Sequence, residues 1–488
     1  MQDTVIFLLL PCCLALLLLA SRLRHASLTY KAAAYARLAA VKSSTVLKKL
    51  IPKLGQPEVY VSDRFAAHRL LVGGAATGGA FSDKPPSSVA SAVLSRHRHY
   101  NINSAPYGSL WRAMRRNLTA EIFHPSRLRL FAPARRRALA DLVADLDRQC
   151  SSGGVVRAAE SIRAAMFGLM STMCFGGDVD GELVKAMADA QDDLVQCFLG
   201  LRILSTFPAI TGLIYRNRWR KLVELRRQQE EMYLPLIAAR RRHDGEPPAY
   251  VDTLVDLSVP DEHGRKLTDG ELVGLCSEFL GAGTEPAAAA LQWIMANLVK
   301  RPDVQRALWK EIDAAVAAEE DEVGEEVLGR LDYLNAVIME GLRLNPTVPV
   351  AFRQVMADDH VVLDGSRLPA GTAVLFPLAR LSRDKTAWAD PLEFRPERFM
   401  PGGEGAGVSL VAAAGSAGEI RMMPFGAGRR MCPGMGIAML HLGYFVANLV
   451  REFEWVEVEG DHAVDLRPHV GFFRVMKRPL HVRLVRRR

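Results

Sequence analysis

Apolar residues recur along most of this chain at helical spacing. Residues 135–148 and 331–344 carry them at intervals of three and four, which predicts helices with one buried face. Thr268-Asp269-Gly270-Glu271 is a capping box, in which a threonine hydroxyl and a glutamate carboxylate satisfy first-turn N–H groups. It predicts a helix running from there to near Leu298. The apolar run 435–450 reads as another helix. Strand-like pieces stand beside turn residues at 58–61, 360–363 and 373–376. The acidic stretch 317–326 and the Gly-, Ala- and Ser-rich stretch 401–418 read as surface loops. No repeat recurs at a fixed period. The pattern predicts a mainly α body with a small β lobe, in one large domain.

The N-terminus differs in kind. Residues 5–20 are almost wholly apolar and leucine-rich. The run is shorter than the roughly 20 residues of a spanning helix, and a cleaved signal peptide competes with a membrane anchor. Asp3 precedes the run without any Lys or Arg, and the positive charge follows it at Arg22, Arg24, His25 and Lys31. The positive-inside rule then leaves the short N-terminus across the membrane and the body in the cytosol. The expected organisation is an anchor over 1–21, a linker over 22–56 without a Pro-rich hinge, and a catalytic domain over 57–488.

Composition narrows this further. Of 488 residues 49% are hydrophobic and 24% charged, which excludes a largely disordered chain. The net charge of +8 suits an anionic membrane face or an acidic protein partner. Its Arg and Lys are spread along the chain with no nucleic-acid module, so no nucleic acid is expected. The seven cysteines (Cys12, Cys13, Cys150, Cys174, Cys197, Cys276 and Cys432) show no C-x-x-C spacing. That points to a reducing compartment, without a disulfide framework or structural zinc.

The candidate chemistry lies at residues 425–434, FGAGRRMCPG. Gly426, Gly428 and Gly434 allow tight turns and close approach. Cys432 stands just before the 435–450 helix, where unpaired N–H groups and the positive dipole end favour a thiolate, the form that ligates metals. Arg429 and Arg430 add charge suited to a carboxylate. Taken alone, a cysteine in a Gly-rich loop is more often inert.

This segment resembles the haem-binding signature of cytochromes P-450, F-x-x-G-x-R-x-C-x-G. Phe425, Gly428, Arg430, Cys432 and Gly434 fill its five fixed positions. The resemblance, of plant microsomal type, implies the cytochrome P-450 fold preceded by an N-terminal transmembrane helix. It implies haem b with Cys432 as the axial thiolate on iron, and Arg430 on a haem propionate. Glu340 and Arg343 in EGLRLNP resemble the family's E-x-x-R pair, and Arg398 in PERF resembles the arginine that joins it. Their implied role is structural. Trp111 and Arg115, as W-x-x-x-R, and Arg353 resemble further propionate contacts.

One segment departs from the pattern. Ala282, Gly283 and Glu285, around Thr284, resemble the family's A-G-x-D/E-T segment, but Pro286 stands where a threonine normally assists proton delivery. Pro286 has no N–H, so the carbonyl of Ala282 loses its helical partner. Glu285, Thr284, Gly283 and Ala282 are the expected catalytic residues, with Glu285 and an ordered water relaying protons. Tyr107, Pro286, Val350, Ala351 and Phe472 join Ala282 as pocket residues by position.

The implied activity is insertion of one oxygen atom from dioxygen into an apolar small molecule. Electrons would come from an NADPH-dependent flavoprotein reductase, a separate protein because no dinucleotide-binding fingerprint is evident here. The implied location is the endoplasmic reticulum membrane. Two alternatives stay open: a haem-thiolate isomerase or dehydratase acting on a hydroperoxide, favoured by Pro286, and a non-catalytic haem-binding derivative.

Overall fold

The computed structural model describes residues 58–73, 81–84, 101–151, 155–177, 179–204, 214–240, 248–260, 262–316, 322–356, 361–410 and 418–487. The anchor expected over 5–20 and the linker lie outside them. Among the described residues no helix is long and apolar enough to cross a membrane.

Among the described residues, the first half of the chain is helical apart from two short strands. Strand β1 (Glu58–Tyr60) leads to α1 (Arg64–Leu71) and α2 (Ser109–Asn117). There follow α3 (Pro125–Leu130), α4 (Ala132–Ser151), β2 (Val156–Arg157), α5 (Ala158–Phe175), α6 (Gly181–Leu204), α7 (Arg216–Arg240) and α8 (Tyr250–Asp256). The 32-residue α9 (Asp269–Lys300) runs through the centre. Its start is the expected capping box: Glu271 Oε2 accepts from the Thr268 N–H at 2.7 Å, and Thr268 Oγ1 from the Glu271 N–H at 3.4 Å. Residues such as Leu272, Leu280, Leu291, Trp293 and Ile294 bury α9 on nearly every side, as befits a helix that is apolar all round. Pro286 lies inside α9 without ending it.

The second half supplies the layers packed on α9. It comprises α10 (Pro302–Ala315), α11 (Glu325–Leu328), α12 (Asp332–Leu344), β3 (Val350–Gln354), β4 (Val362–Leu363), β5 (Ser366–Arg367), β6 (Ala373–Pro377) and α13 (Leu378–Leu381). The chain then continues through α14 (Met435–Glu452), β7 (Phe453–Val456), β8 (Pro468–Val470), β9 (Arg474–Met476) and β10 (His481–Arg486). Helices α5, α7, α12 and α14 all pack against α9.

The small lobe is a sheet in the order β1-β6-β3, parallel between β1 and β6 and antiparallel between β3 and β6. It has its own core, in which Val61, Ala66, Leu71, Phe81, Val374 and Phe376 meet Met423 and Ala427. The last two belong to the segment that leads into Cys432. That segment is therefore clamped between the lobes, with the small core on one side and the start of α14 on the other.

Three expectations need adjusting. The acidic stretch 317–326 is not loop throughout, because Glu325–Leu328 forms a helical turn opened by Gly324. Of the strand-like 360–363, the described part forms a strand at Val362–Leu363, paired with Ser366–Arg367 across a turn. Helix α9 also runs two residues past Leu298, to Lys300.

Candidate active site

The Cys432 loop is shaped by backbone geometry that few residues could supply. Gly426 and Gly428 have φ of +72° and +71°. At Gly428 a Cβ would stand 2.2 Å from the Leu71 carbonyl oxygen, so glycine is required twice over. The loop closes when the Cys432 N–H donates to the Phe425 carbonyl at 2.9 Å. Helix α14 starts three residues later, and the Gly434 N–H reaches the Cys432 sulfur. The expected lowering of the thiol pKa is overturned. Burial pushes Cys432 up, and the Gly434 N–H, Arg115 and Lys84 only partly offset it. A thiol in this setting is protonated until a metal displaces the proton.

Around Cys432 lies a concentration of buried positive charge. Arg430 donates Nε to the Ser82 carbonyl at 2.9 Å and Nη2 to that of Ala105 at 2.7 Å, with its guanidinium 4.4 Å from the Trp111 ring. Arg115 donates Nη2 to the Met431 carbonyl at 2.6 Å. Arg353 donates to the carbonyls of Phe352 and Ala427 at 2.9 and 3.2 Å. Lys84 sits 5.4 Å from the Phe352 ring and donates to Asn103 Oδ1. Burial, with Arg430 adding repulsion, pulls Arg353 down to about 10. Burial also brings Arg430 to about 10, against the pull of Asp83. Lys84 falls to about 7 through burial and the repulsion of Arg353 and Arg430, while Glu278 and Cys432 oppose the fall. These cations bond mainly to neutral carbonyls, so the fold holds them together without a matching set of anions.

Trp111 and Tyr107 belong to this cradle. Trp111 Nε1 donates to the Ile102 carbonyl at 3.0 Å, and the Tyr107 hydroxyl accepts from Arg429 Nη1 at 2.7 Å. Tyr107, expected in the pocket, thus has its ring 5.2 Å from Trp111 with its hydroxyl on Arg429.

Behind the loop, Glu340 and Arg343 are both 0% exposed and bond at 2.6 and 2.8 Å. Arg398 Nε reaches Glu340 at 3.2 Å, and the Arg395 N–H adds a bond at 2.9 Å. Arg343 uses its remaining donors on the carbonyls of Ser382, Pro391 and Glu393. One carboxylate ties α12 to residues 395–398, and Arg343 extends the tie to the carbonyls of 382–393.

Helix α9 faces a cavity at one place. Ala282 is exposed in the middle of an otherwise buried helix, and Pro286, one turn on, is half-buried. Glu278, one turn before Ala282, is enclosed by protein yet keeps some accessible surface, as do Cys432 and Lys84. Residues that are enclosed yet accessible line an internal cavity. Gly283 faces α5, where a Cβ would stand 2.2 Å from Met170 Cε. Thr284 is fully buried with its hydroxyl unpartnered, and helical geometry puts it about 160° round from Ala282. Glu285 pairs through Oε1 with Arg163 of α5 at 2.8 Å, and Arg163 lies 3.5 Å from Asp192 of α6. On β3, Val350 and Ala351 are half-buried, whereas Phe472 is 46% exposed, edge-on to Phe473.

Sequence reasoning missed Lys84, Glu278 and Arg163. Glu278 left a signal, being the only charged residue between Glu271 and Glu285. Lys84 and Arg163 left none, since nothing local distinguishes them from solvated surface charges.

A family model described as Cytochrome P450 matches residues 53–482. The chain belongs to the cytochrome P450 family. Cytochrome P450 89A9 of Arabidopsis thaliana is 41% identical over 446 residues, covering 89% of this chain and 85% of that protein. A flavonoid 3'-monooxygenase of Petunia hybrida is 29% identical over 395 residues, covering 78% and 74%. Among solved structures, a zebra fish cytochrome P450 with progesterone superposes with a TM-score of 0.71 at 21% identity, covering 88% of this chain and 93% of that one. This plant-type cytochrome P450 is a haem-thiolate monooxygenase, and its cofactor is a haem iron with thiolate ligation. The cradle fits that group: it offers one enclosed sulfur and a surplus of buried cations suited to the two carboxylates of a haem.

Proposed function

We propose that this cytochrome P450 uses Cys432 as the axial ligand of its haem iron and inserts oxygen into a largely apolar small molecule held under α9. One observation carries the reading: the enclosed Cys432 sulfur sits among Arg115, Arg353 and Arg430. When bound, the haem supplies the oxygen chemistry. The protein's part is to hold, orient and meter. Gly434 steadies the Cys432 sulfur through its N–H. Arg115, Arg353 and Arg430 take the propionates. Ala282 and Pro286 would border the substrate space on α9, and Val350 and Ala351 would bound it from β3. Glu285, held by Arg163 near the α5–α6 surface, passes protons inward.

Electrons arrive from a separate NADPH-dependent flavoprotein reductase. Helix α2 favours a docking face there. Arg115 bonds the residue before Cys432, while Arg112 and Arg116 on the same helix are exposed and would attract an acidic partner. The apolar segment 5–20 would hold the enzyme on the endoplasmic reticulum membrane, with the domain in the cytosol.

The test is the carbon-monoxide difference spectrum of the reduced full-length protein beside Cys432→Ser. The wild type is expected to show the strongly red-shifted band of thiolate-ligated haem, and the variant to lose the shift. A shifted band in the variant would exclude Cys432 as the ligand.

A further inference from the structure

Two histidines that the oxygen chemistry does not use meet beside the β2-β10-β7 sheet. His462 ends the 3-10 turn Gly460–His462, and His481 opens β10. Their Nδ1 atoms are 3.1 Å apart and their ring centroids 5.1 Å. The nitrogens are much closer than the ring centres, so each ring turns its Nδ1 edge towards the other. Nineteen residues separate the two in sequence, and no local motif announces the pair.

Both backbones are pinned. His481 pairs with Arg157 of β2, and the rest of β10 runs along β7. The turn is closed by the Ala463 N–H on the Gly460 carbonyl at 3.1 Å. Arg478 Nη1, from the segment leading into β10, donates to the Asp461 carbonyl at 3.1 Å. The Val464 N–H donates to Glu457 Oε1 at 3.1 Å, which returns the chain to the end of β7. The two rings are thus held in place by structure that neither of them makes.

The surroundings favour the uncharged ring. Arg157 of β2 and Glu160, in the first turn of α5, act on His481 with opposite signs. Burial, with His462 and Arg157 adding repulsion, holds His481 below its ordinary value against the pull of Glu160. His481 is therefore neutral at pH 7, and neutral imidazole is the form that ligates metals. With metal–nitrogen bonds of about 2.0–2.1 Å, nitrogens 3.1 Å apart subtend about 95–102° at a shared ion. That lies between the right angle of a tetragonal site and the tetrahedral angle, so an ion fits without moving the backbone. Among the described residues no group of three or more His, Cys, Asp or Glu side chains gathers here, which leaves the ion's other positions to water.

We propose that His462 and His481 form a two-imidazole site for a late first-row divalent metal ion, with Cu(II) the tightest, that clamps the 460–462 turn to β10. Between neutral rings one Nδ1 carries the shared hydrogen. On binding, that hydrogen moves to the same ring's Nε2, and both Nδ1 lone pairs take the ion. One imidazole alone holds such an ion weakly. A second one already in place multiplies the affinity by about 10² or more.

The test compares the full-length holoprotein with His462→Gln and His481→Gln by equilibrium dialysis against Ni(II), which spares the thiols that Cu(II) oxidises. The wild type is expected to bind one equivalent about 100-fold more tightly than either variant. Ni(II) should raise the thermal midpoint of the wild type and leave that of the variants unmoved. Equal binding by the wild type and His462→Gln would overturn the inference and mark the ions as adventitious. Loss in one variant with full binding in the other, both folded, would overturn it too, since a single imidazole would then suffice. His462 is exposed, so should His481→Gln fail to fold, His462→Gln decides alone.

Discussion

Two arginine-rich regions of this molecule lie in its interior and are built on opposite principles. Around Glu340 the charges close on themselves. One carboxylate accepts from Arg343, Arg398 and the Arg395 backbone, and the remaining Arg343 donors find carbonyls at 2.9 to 3.2 Å. Around Cys432 the charges stay open. Arg353 and Arg430 are pulled down to about 10 and Lys84 to about 7, with burial the leading cause in each. Desolvation is tolerated where partner charges offset it, and it depresses a base where they are too few. The closed set is part of the fold. The open set waits for an anion the chain does not supply.

The largest effect should come from breaking the closed set. Glu340→Ala leaves Arg343 buried without its carboxylate, and Arg398 with Glu404 alone. Such a loss costs about 3–5 kcal/mol, a large share of a domain's stability. Denaturant midpoints of wild-type and variant protein measure it. A loss within about 1 kcal/mol, as for a surface pair, would show that the network does not hold these segments together.

Opening the other region should act on the cofactor and spare the chain. Arg353 is 4% exposed and among the described residues bonds only carbonyls, so Arg353→Leu removes a desolvated cation that no described carboxylate pairs with. Haem retention should weaken by about 1.5–3 kcal/mol, the range for hydrogen bonds to charged groups. The denaturant midpoint of haem-free protein should move far less. Haem transfer to apomyoglobin gives the first quantity. Equal damage to haem-free and haem-loaded protein would erase the contrast between the two regions.

Much of this was legible in the sequence, for reasons specific to each element. Helix α9 announced itself because its capping box and apolar run are local, and the structure starts it at Asp269. The Cys432 loop was legible because positive-φ glycines and a cysteine at fixed spacing leave a written pattern. Glu340 and Arg343 were visible as a pair on one helix face, but their burial was not, since that depends on Arg398 and on carbonyls about 40 to 50 residues further along. Lys84 was invisible because its meaning comes from β3, α9 and the Cys432 loop converging on it. The thiol pKa was misjudged because the helix terminus is local and burial is not. Local chemistry is written in the order of residues, and electrostatic surroundings are assembled by the fold.

The smallest effect on stability should separate a third kind of charge. Glu285 and Arg163 are paired at 2.8 Å with side chains 14% and 25% exposed, so they belong to neither region. Their pair is partly solvated, and Glu285→Gln keeps the hydrogen-bonding shape. The stability change should stay within about 1 kcal/mol. The functional change should be larger, because an amide does not carry a proton. With Pro286 in place of a hydroxyl and the Thr284 hydroxyl buried on the far side of α9, the Glu285 carboxyl, between Ala282 and Pro286 in sequence, is a protonatable group beside that surface. The product formed per NADPH consumed should therefore fall, with the excess appearing as hydrogen peroxide. Full coupling in Glu285→Gln would make the pair a strut between α5 and α9, and would return Pro286 to shaping the cavity alone.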